Sequence, residues 1–154
     1  MAVLVSNTQR KVRLSAGSLK MAAGSVLEYM GCPNAELSVL ITGDRKMRAL
    51  NRQYRGMDKT TDVLSFPALE GKAVLKAVSG GEGGPPMVLG DIVISASRAL
   101  KQSGEIGQTL DDEMVFLLVH GILHLLGYDH EGSPSEKSVM EKTQKEIIGF
   151  LRRN

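Results

Sequence analysis

All three histidines of this 154-residue chain fall inside eleven positions, His120-Gly121-Ile122-Leu123-His124-Leu125-Leu126-Gly127-Tyr128-Asp129-His130. His120 and His124 stand four apart in an apolar stretch, so a helix there puts both rings on one face, a turn apart. Gly127 then permits a sharp left-handed turn, which returns His130 as a third ligand from another direction. Imidazole is the commonest metal ligand, and one buried histidine is usually just a satisfied core residue. Three of them around a glycine elbow point to a metal site, with zinc the expected ion. Three neutral imidazoles leave the fourth tetrahedral position to water, the mark of a catalytic rather than a structural zinc. Zinc brings the pKa of that water from about 15.7 to about 7, so hydroxide becomes accessible at neutral pH.

The spacing H-x-x-x-H-x-x-G-x-x-H is zincin-like, shared with a large class of zinc proteases. Those carry Glu directly after the first His as general base. Here that position is Gly121, which can neither take a proton from the zinc water nor pass one to a leaving amine. Asp129 or Glu131 can substitute, or can orient a ligand histidine instead. The chain therefore reads as a zinc hydrolase without the protease base, and a zinc metallopeptidase-like hydrolase stays open as an alternative.

The rest of the chain reads as βαβαββααα. Strands are expected at Val3 to Ser6, Leu37 to Ile41, Asp62 to Phe66 (stopped by Pro67) and Val88 to Ile94. Helices are expected from Ser15 to Gly31, from Asp44 to Tyr54, and from Ser95 to near Gly104. Two more run from Thr109 to Gly127 and onward from Ser133-Pro134. In the second helix Met47, Leu50 and Tyr54 form the inner stripe. In the last, Met140, Ile147 and Leu151 point inward. Residues 69–87, with Ser79 to Pro86 rich in Gly and Pro, read as a flexible loop between strands three and four, which pair as a long-looped hairpin. The fold class is α/β (α+β): one domain over residues 1–154, a mixed sheet of about four strands packed with about five helices.

Composition narrows the setting. No apolar run approaches the roughly 18 residues that span a bilayer. The opening Met1 to Ser6 is too short for a signal-peptide core and lacks a basic leader, so a cytoplasmic location is expected. Cys32 is alone, in a turn after a helix, and reads as a small buried filler rather than a nucleophile. The net charge of +2 is small, but Arg45, Lys46, Arg48, Arg52, Arg55 and Lys59 cluster against only Asp58, while 111–146 is mostly acidic. Such polarity suits a phosphate-rich partner, or merely a solvated helix face.

The histidine segment, together with Leu50-Asn51-Arg52-Gln53-Tyr54-Arg55-Gly56-Met57-Asp58-Lys59-Thr60-Thr61-Asp62-Val63-Leu64-Ser65-Phe66-Pro67 and Leu89-Gly90-Asp91-Ile92-Val93-Ile94-Ser95, resembles the YbeY family of bacterial endoribonucleases. The resemblance implies a single-domain α/β fold, one zinc held by His120, His124 and His130, and single-strand-specific RNA cleavage. It further implies roles in 16S ribosomal RNA maturation, late 30S subunit assembly and ribosome quality control, with a ribosomal protein or an assembly GTPase as further partner. The family's functional arginine maps onto Arg55. Lys59-Thr60 departs from members that carry a proline before the threonine. A guanidinium at Arg55 can grip a phosphate bidentately; the plain alternative is a surface arginine paired with Asp58. A zinc-stabilised, non-catalytic ribosome assembly factor is the remaining alternative.

Overall fold

The computed structural model describes residues 3–69, 87–129 and 131–153. The element order is β1 (Val3–Asn7), α1 (Ala16–Tyr29), β2 (Glu36–Thr42), α2 (Asp44–Arg55), β3 (Val63–Pro67), β4 (Val88–Ser95), α3 (Ala96–Ile106), α4 (Leu110–Leu125) and α5 (Pro134–Arg153). The expected order βαβαββααα and the α/β class hold, with four strands and five helices among the described residues.

The helix starts lie where short polar side chains can satisfy the first free N–H groups. Ser15 Oγ accepts from Ser18 N, Ser95 Oγ from Arg98 N and Thr109 Oγ1 from Asp112 N. Ser133 Oγ accepts from Glu136 N at 3.2 Å. Helix α3 ends near Gly104 as expected: it passes through that glycine and stops at Ile106, with Gly107 in the left-handed conformation as its cap. A glycine inside a helix costs only about 1 kcal/mol against alanine, too little to end one by itself.

The sheet order is β1-β2-β4-β3. β1 runs parallel to β2 and β2 to β4, as helix crossovers require. β3 pairs antiparallel with β4 at the edge, from Val63 opposite Ile94 to Pro67 opposite Gly90. The expected hairpin partners are therefore correct; the loop expected over 69–87 lies, from 70 to 86, outside the described residues. Pro67 is tolerated because an edge strand has one side without a ladder partner.

Alternation sorts the strands into two faces. Val3, Leu37, Val39, Ile41, Ile92 and Ile94 join α1, α3, α4 and α5 in the main core. Leu64 and Val93 turn to the other face, where they enclose Met47 of α2 with Leu40, Leu50 and Phe66 around them. In α5, Met140 and Ile147 are buried as expected, and Leu151 is half-buried against the core. Cys32 is buried, and burial pushes its thiol above the ordinary range, which fits a filler. The inner stripe expected on α2 is correct for Met47 but wrong for Tyr54, which is 60% exposed. Asn51 takes the buried place instead, because its amide closes the loop that follows the helix.

Gly90 sits at φ +142 in the middle of β4. A side-chain carbon there would overlap the Phe66 carbonyl oxygen and lie 3.1 Å from Leu125 Cδ2. Both the strained backbone and the contact demand glycine. Gly90→Ala is expected to destabilise the protein by about 3 kcal/mol or more. In thermal unfolding that is a fall of roughly 6–12 °C for a chain of this size; an unchanged midpoint would show that this strand contact is not needed.

Candidate metal and phosphate site

Helix α4 is apolar on nearly all sides: Met114, Leu117, Leu118, Val119, Ile122, Leu123 and Leu125 are buried. Each such side chain contributes about 1.5–3 kcal/mol when fully buried. Against that background His120 and His124 are half-buried, at the one edge of the helix that faces an opening. Their ring centroids are 4.7 Å apart with planes at 71°. The expected face-sharing of these two histidines is thus what the helix delivers.

Gly121 explains how close this helix comes to the sheet. A carbon added there would meet Ile92 of β4 at 2.9 Å from Cδ1, 3.0 Å from Cγ2 and 3.1 Å from Cγ1. Its carbonyl accepts a long hydrogen bond, 3.4 Å, from Ser65 Oγ of β3. Position 121 therefore faces the fully buried Ile92 rather than the opening. A glutamate in the protease position would drive its carboxylate into the core, which costs both space and desolvation.

The helix ends in a Schellman arrangement. Tyr128 N donates to Leu123 O at 2.9 Å and Gly127 N to His124 O at 3.0 Å, with Gly127 at φ +98. This is the turn the sequence calls for. His130 itself lies outside the described residues. Its neighbours Asp129 and Glu131 both line the cavity that His120 and His124 line, and Glu131 N donates to Asp129 Oδ1 at 2.8 Å. Among the described residues no group of three or more His, Cys, Asp or Glu side chains is gathered tightly enough to hold a metal.

The cavity measures about 430 Å³ and is lined by Arg55, Thr61, Asp62, Val63, Ser65, Pro67, His120, His124, Asp129 and Glu131. Arg55 is the last residue of α2, and Gly56 in the left-handed conformation turns the chain immediately after it. The following loop is fastened at three points. Asn51 Nδ2 donates to Lys59 O at 2.8 Å, Thr60 Oγ1 to Asp44 Oδ1 at 3.1 Å, and Arg48 grips Asp58 with Nε at 2.9 Å and Nη2 at 3.2 Å. Arg48 holds the Asp58 carboxyl below the usual range through that hydrogen bond and its charge. Asp58 is thus the partner of Arg48, two turns earlier on the same helix, while Arg55, itself exposed, lines the cavity.

Thr61, Asp62 and Ser65 also line the cavity, though no motif in the sequence marks them. Strand alternation is the signal that was present, since Val63, Ser65 and Pro67 point away from Leu64 and Phe66. What brought them to α4 is long-range packing. The Asp62 carboxylate is oriented: Oδ1 accepts from Val63 N at 2.8 Å and Oδ2 from Gln102 Nε2 at 3.3 Å. Behind it Glu113, 2% exposed, accepts from Gln108 Nε2 at 3.0 Å. Burial raises the Glu113 carboxyl, the Gln108 hydrogen bond lowers it, and the Asp62 charge raises it again, for a net upward shift.

Comparison with known proteins places these features in a group. A family model described as Endoribonuclease YbeY matches residues 4–152. A protein of that name from Pelotomaculum thermopropionicum is 45% identical over 98% of this chain and 97% of its own. One from Aquifex aeolicus is 42% identical over 97% of this chain and 91% of its own. A solution structure from Thermotoga maritima is similar with a TM-score of 0.60 and 26% identity, covering 99% of this chain and 93% of that one.

The raised Glu113 carboxyl has a definite sign. A carboxyl whose folded pKa exceeds its unfolded one leaves the folded state holding more protons, so stability declines as pH rises through that window. Glu113→Gln is expected to be more stable than wild type at neutral pH. The difference should vanish below about pH 4, near the unfolded Glu value. Denaturant unfolding across pH checks this; a variant less stable at pH 7 and equal at pH 4 would mean the ionised carboxylate is stabilising.

Proposed function

Since the chain belongs to the endoribonuclease YbeY family, we propose that it is a zinc-dependent hydrolase of phosphodiester bonds in single-stranded RNA. The observation that carries the reading is the meeting of Arg55 with His120 and His124 on one cavity, from elements 65 residues or more apart in sequence. The proposed ligands are His120, His124 and His130, and the donor chemistry suits the ion. Two imidazoles share a face, and the cavity's described charges are three carboxylates, Asp62, Asp129 and Glu131, against one guanidinium. Such a set favours a bound dication.

When bound, zinc supplies a Lewis acid for the phosphoryl oxygen and a water of lowered pKa. The chain's own groups do the remainder. Arg55 presents a planar fork to two phosphate oxygens, orients the phosphodiester, and offsets charge that grows on those oxygens. The Asp62 carboxylate, fixed from two sides, accepts a proton or hydrogen bond on Oδ2 without first reorganising. Asp129 and Glu131 offer the same chemistry from the other wall, or orient the histidines. The exposed basic side chains of α2 attract the polyanion toward this end of the helix.

On this reading the substrate is ribosomal RNA. The 16S species and the 30S subunit, with a ribosomal protein or GTPase as assembly partner, are the proposed cellular setting. The whole chain acts as one domain in the cytoplasm; no helix among the described residues is long and apolar enough to cross a membrane. A peptidase reading finds no support at Gly121, for the steric reason above. The non-catalytic assembly factor remains the competing account, favoured by the basic face of α2.

Two substitutions separate binding from chemistry. His124→Ala is expected to lose both bound metal and cleavage of a single-stranded RNA. Arg55→Glu should keep metal and fold yet lose about 100-fold or more in kcat, the usual cost of removing a charge-stabilising group. Cleavage that survives Arg55→Glu would remove the arginine from the mechanism. RNA binding without cleavage by metal-loaded wild type would favour the assembly factor.

A further inference from the structure

Phe116 stands one turn before His120 on α4 and is 41% exposed, although Met114, Leu117, Leu118 and Val119 beside it are buried. Its ring lies 6.4 Å from the His120 ring and nearly parallel to it, at 18°. The backbone at this point is held from α5, where Gln144 Nε2 donates to Phe116 O at 3.1 Å. The main chain is thus anchored independently of the aromatic side chain. What sets this ring apart from other exposed apolar side chains is its near-parallel alignment with His120, a residue of the cavity wall. Tyr54, the more exposed aromatic, sits differently. It meets Phe66 edge-on at 5.2 Å and lines a separate apolar cavity, on the face of the sheet turned away from the histidines.

We propose that Phe116 is the stacking platform for a nucleobase next to the scissile phosphodiester, and that it is what makes the site select single strands. The inference rests on the RNA-hydrolase reading and deepens it. A base in a duplex already has neighbours on both faces, whereas an unpaired base offers a free π face. Stacking of this kind tolerates any sequence, because every base has such a face. His120, the ring's neighbour, lines the cavity together with Arg55, so a base laid on Phe116 extends the layer formed with His120 and sets its own phosphate toward that cavity.

The chain contains no Trp, so Phe116→Trp creates a single fluorescent reporter that keeps an aromatic face. Titration of the zinc-loaded variant with a short single-stranded RNA is expected to quench its emission saturably. A duplex of equal length, or a strand of abasic sugar-phosphate, should leave it unchanged. In parallel Phe116→Ala should raise KM for single-stranded RNA about tenfold, with kcat, zinc content and unfolding midpoint near wild type, and Phe116→Trp should restore KM. If wild type cleaves single strands while the tryptophan emission ignores them, the platform is refuted and the hydrolase reading stands. Equal quenching by duplex refutes it as well. If wild type neither binds nor cleaves RNA, the hydrolase reading fails and the platform with it.

Discussion

Helix α4 lies directly on β4 because position 121 carries no side chain, and that contact distance governs the candidate site. With Ile92 within about van der Waals reach of Gly121, the helix sinks far enough for Ser65 of the neighbouring strand to meet the Gly121 carbonyl. The residues on either side along the helix edge, His120 and His124, are then carried to the wall where β3 ends. The same glycine stands where a peptidase carries its base, and its close packing sets the two histidines on the cavity that Arg55 also lines.

The second constraint is the loop that follows α2. Arg55 terminates a helix whose C-cap is a left-handed glycine, and three side chains of that helix, Asp44, Arg48 and Asn51, each hold one residue of the next five. The exposed Arg48–Asp58 contact adds little energy of its own. It engages the Asp58 carboxylate, while Arg55 lines the cavity with His120 and His124. Geometry here follows from local bonds made before the sheet edge begins, and the sheet then carries the loop to α4.

Much of this was legible in the chain. Caps at Ser15, Ser95, Thr109 and Ser133, the alternation of the strands and the 3.6-residue stripe of the long helices reported local preferences that the tertiary structure kept. The histidine pair was legible for the same reason, since four residues of a helix are a fixed distance. The failures are of two kinds. Tyr54 differs from expectation because a periodic stripe does not say where solvent begins. Thr61, Asp62 and Ser65 were passed over because their value arises from the crossing of β3 with α4, 56 residues apart at the Ser65–Gly121 hydrogen bond. No local pattern records a crossing.

The proposed ligation of zinc by His120, His124 and His130 makes bound metal the decisive quantity. The protein is purified without a chelating tag or added metal, and bound metal is determined by mass spectrometry for wild type and His130→Ala. About one zinc per chain is expected in wild type and little in the variant, as a three-imidazole site requires. No stoichiometric metal in wild type, or the same content in both proteins, would contradict it.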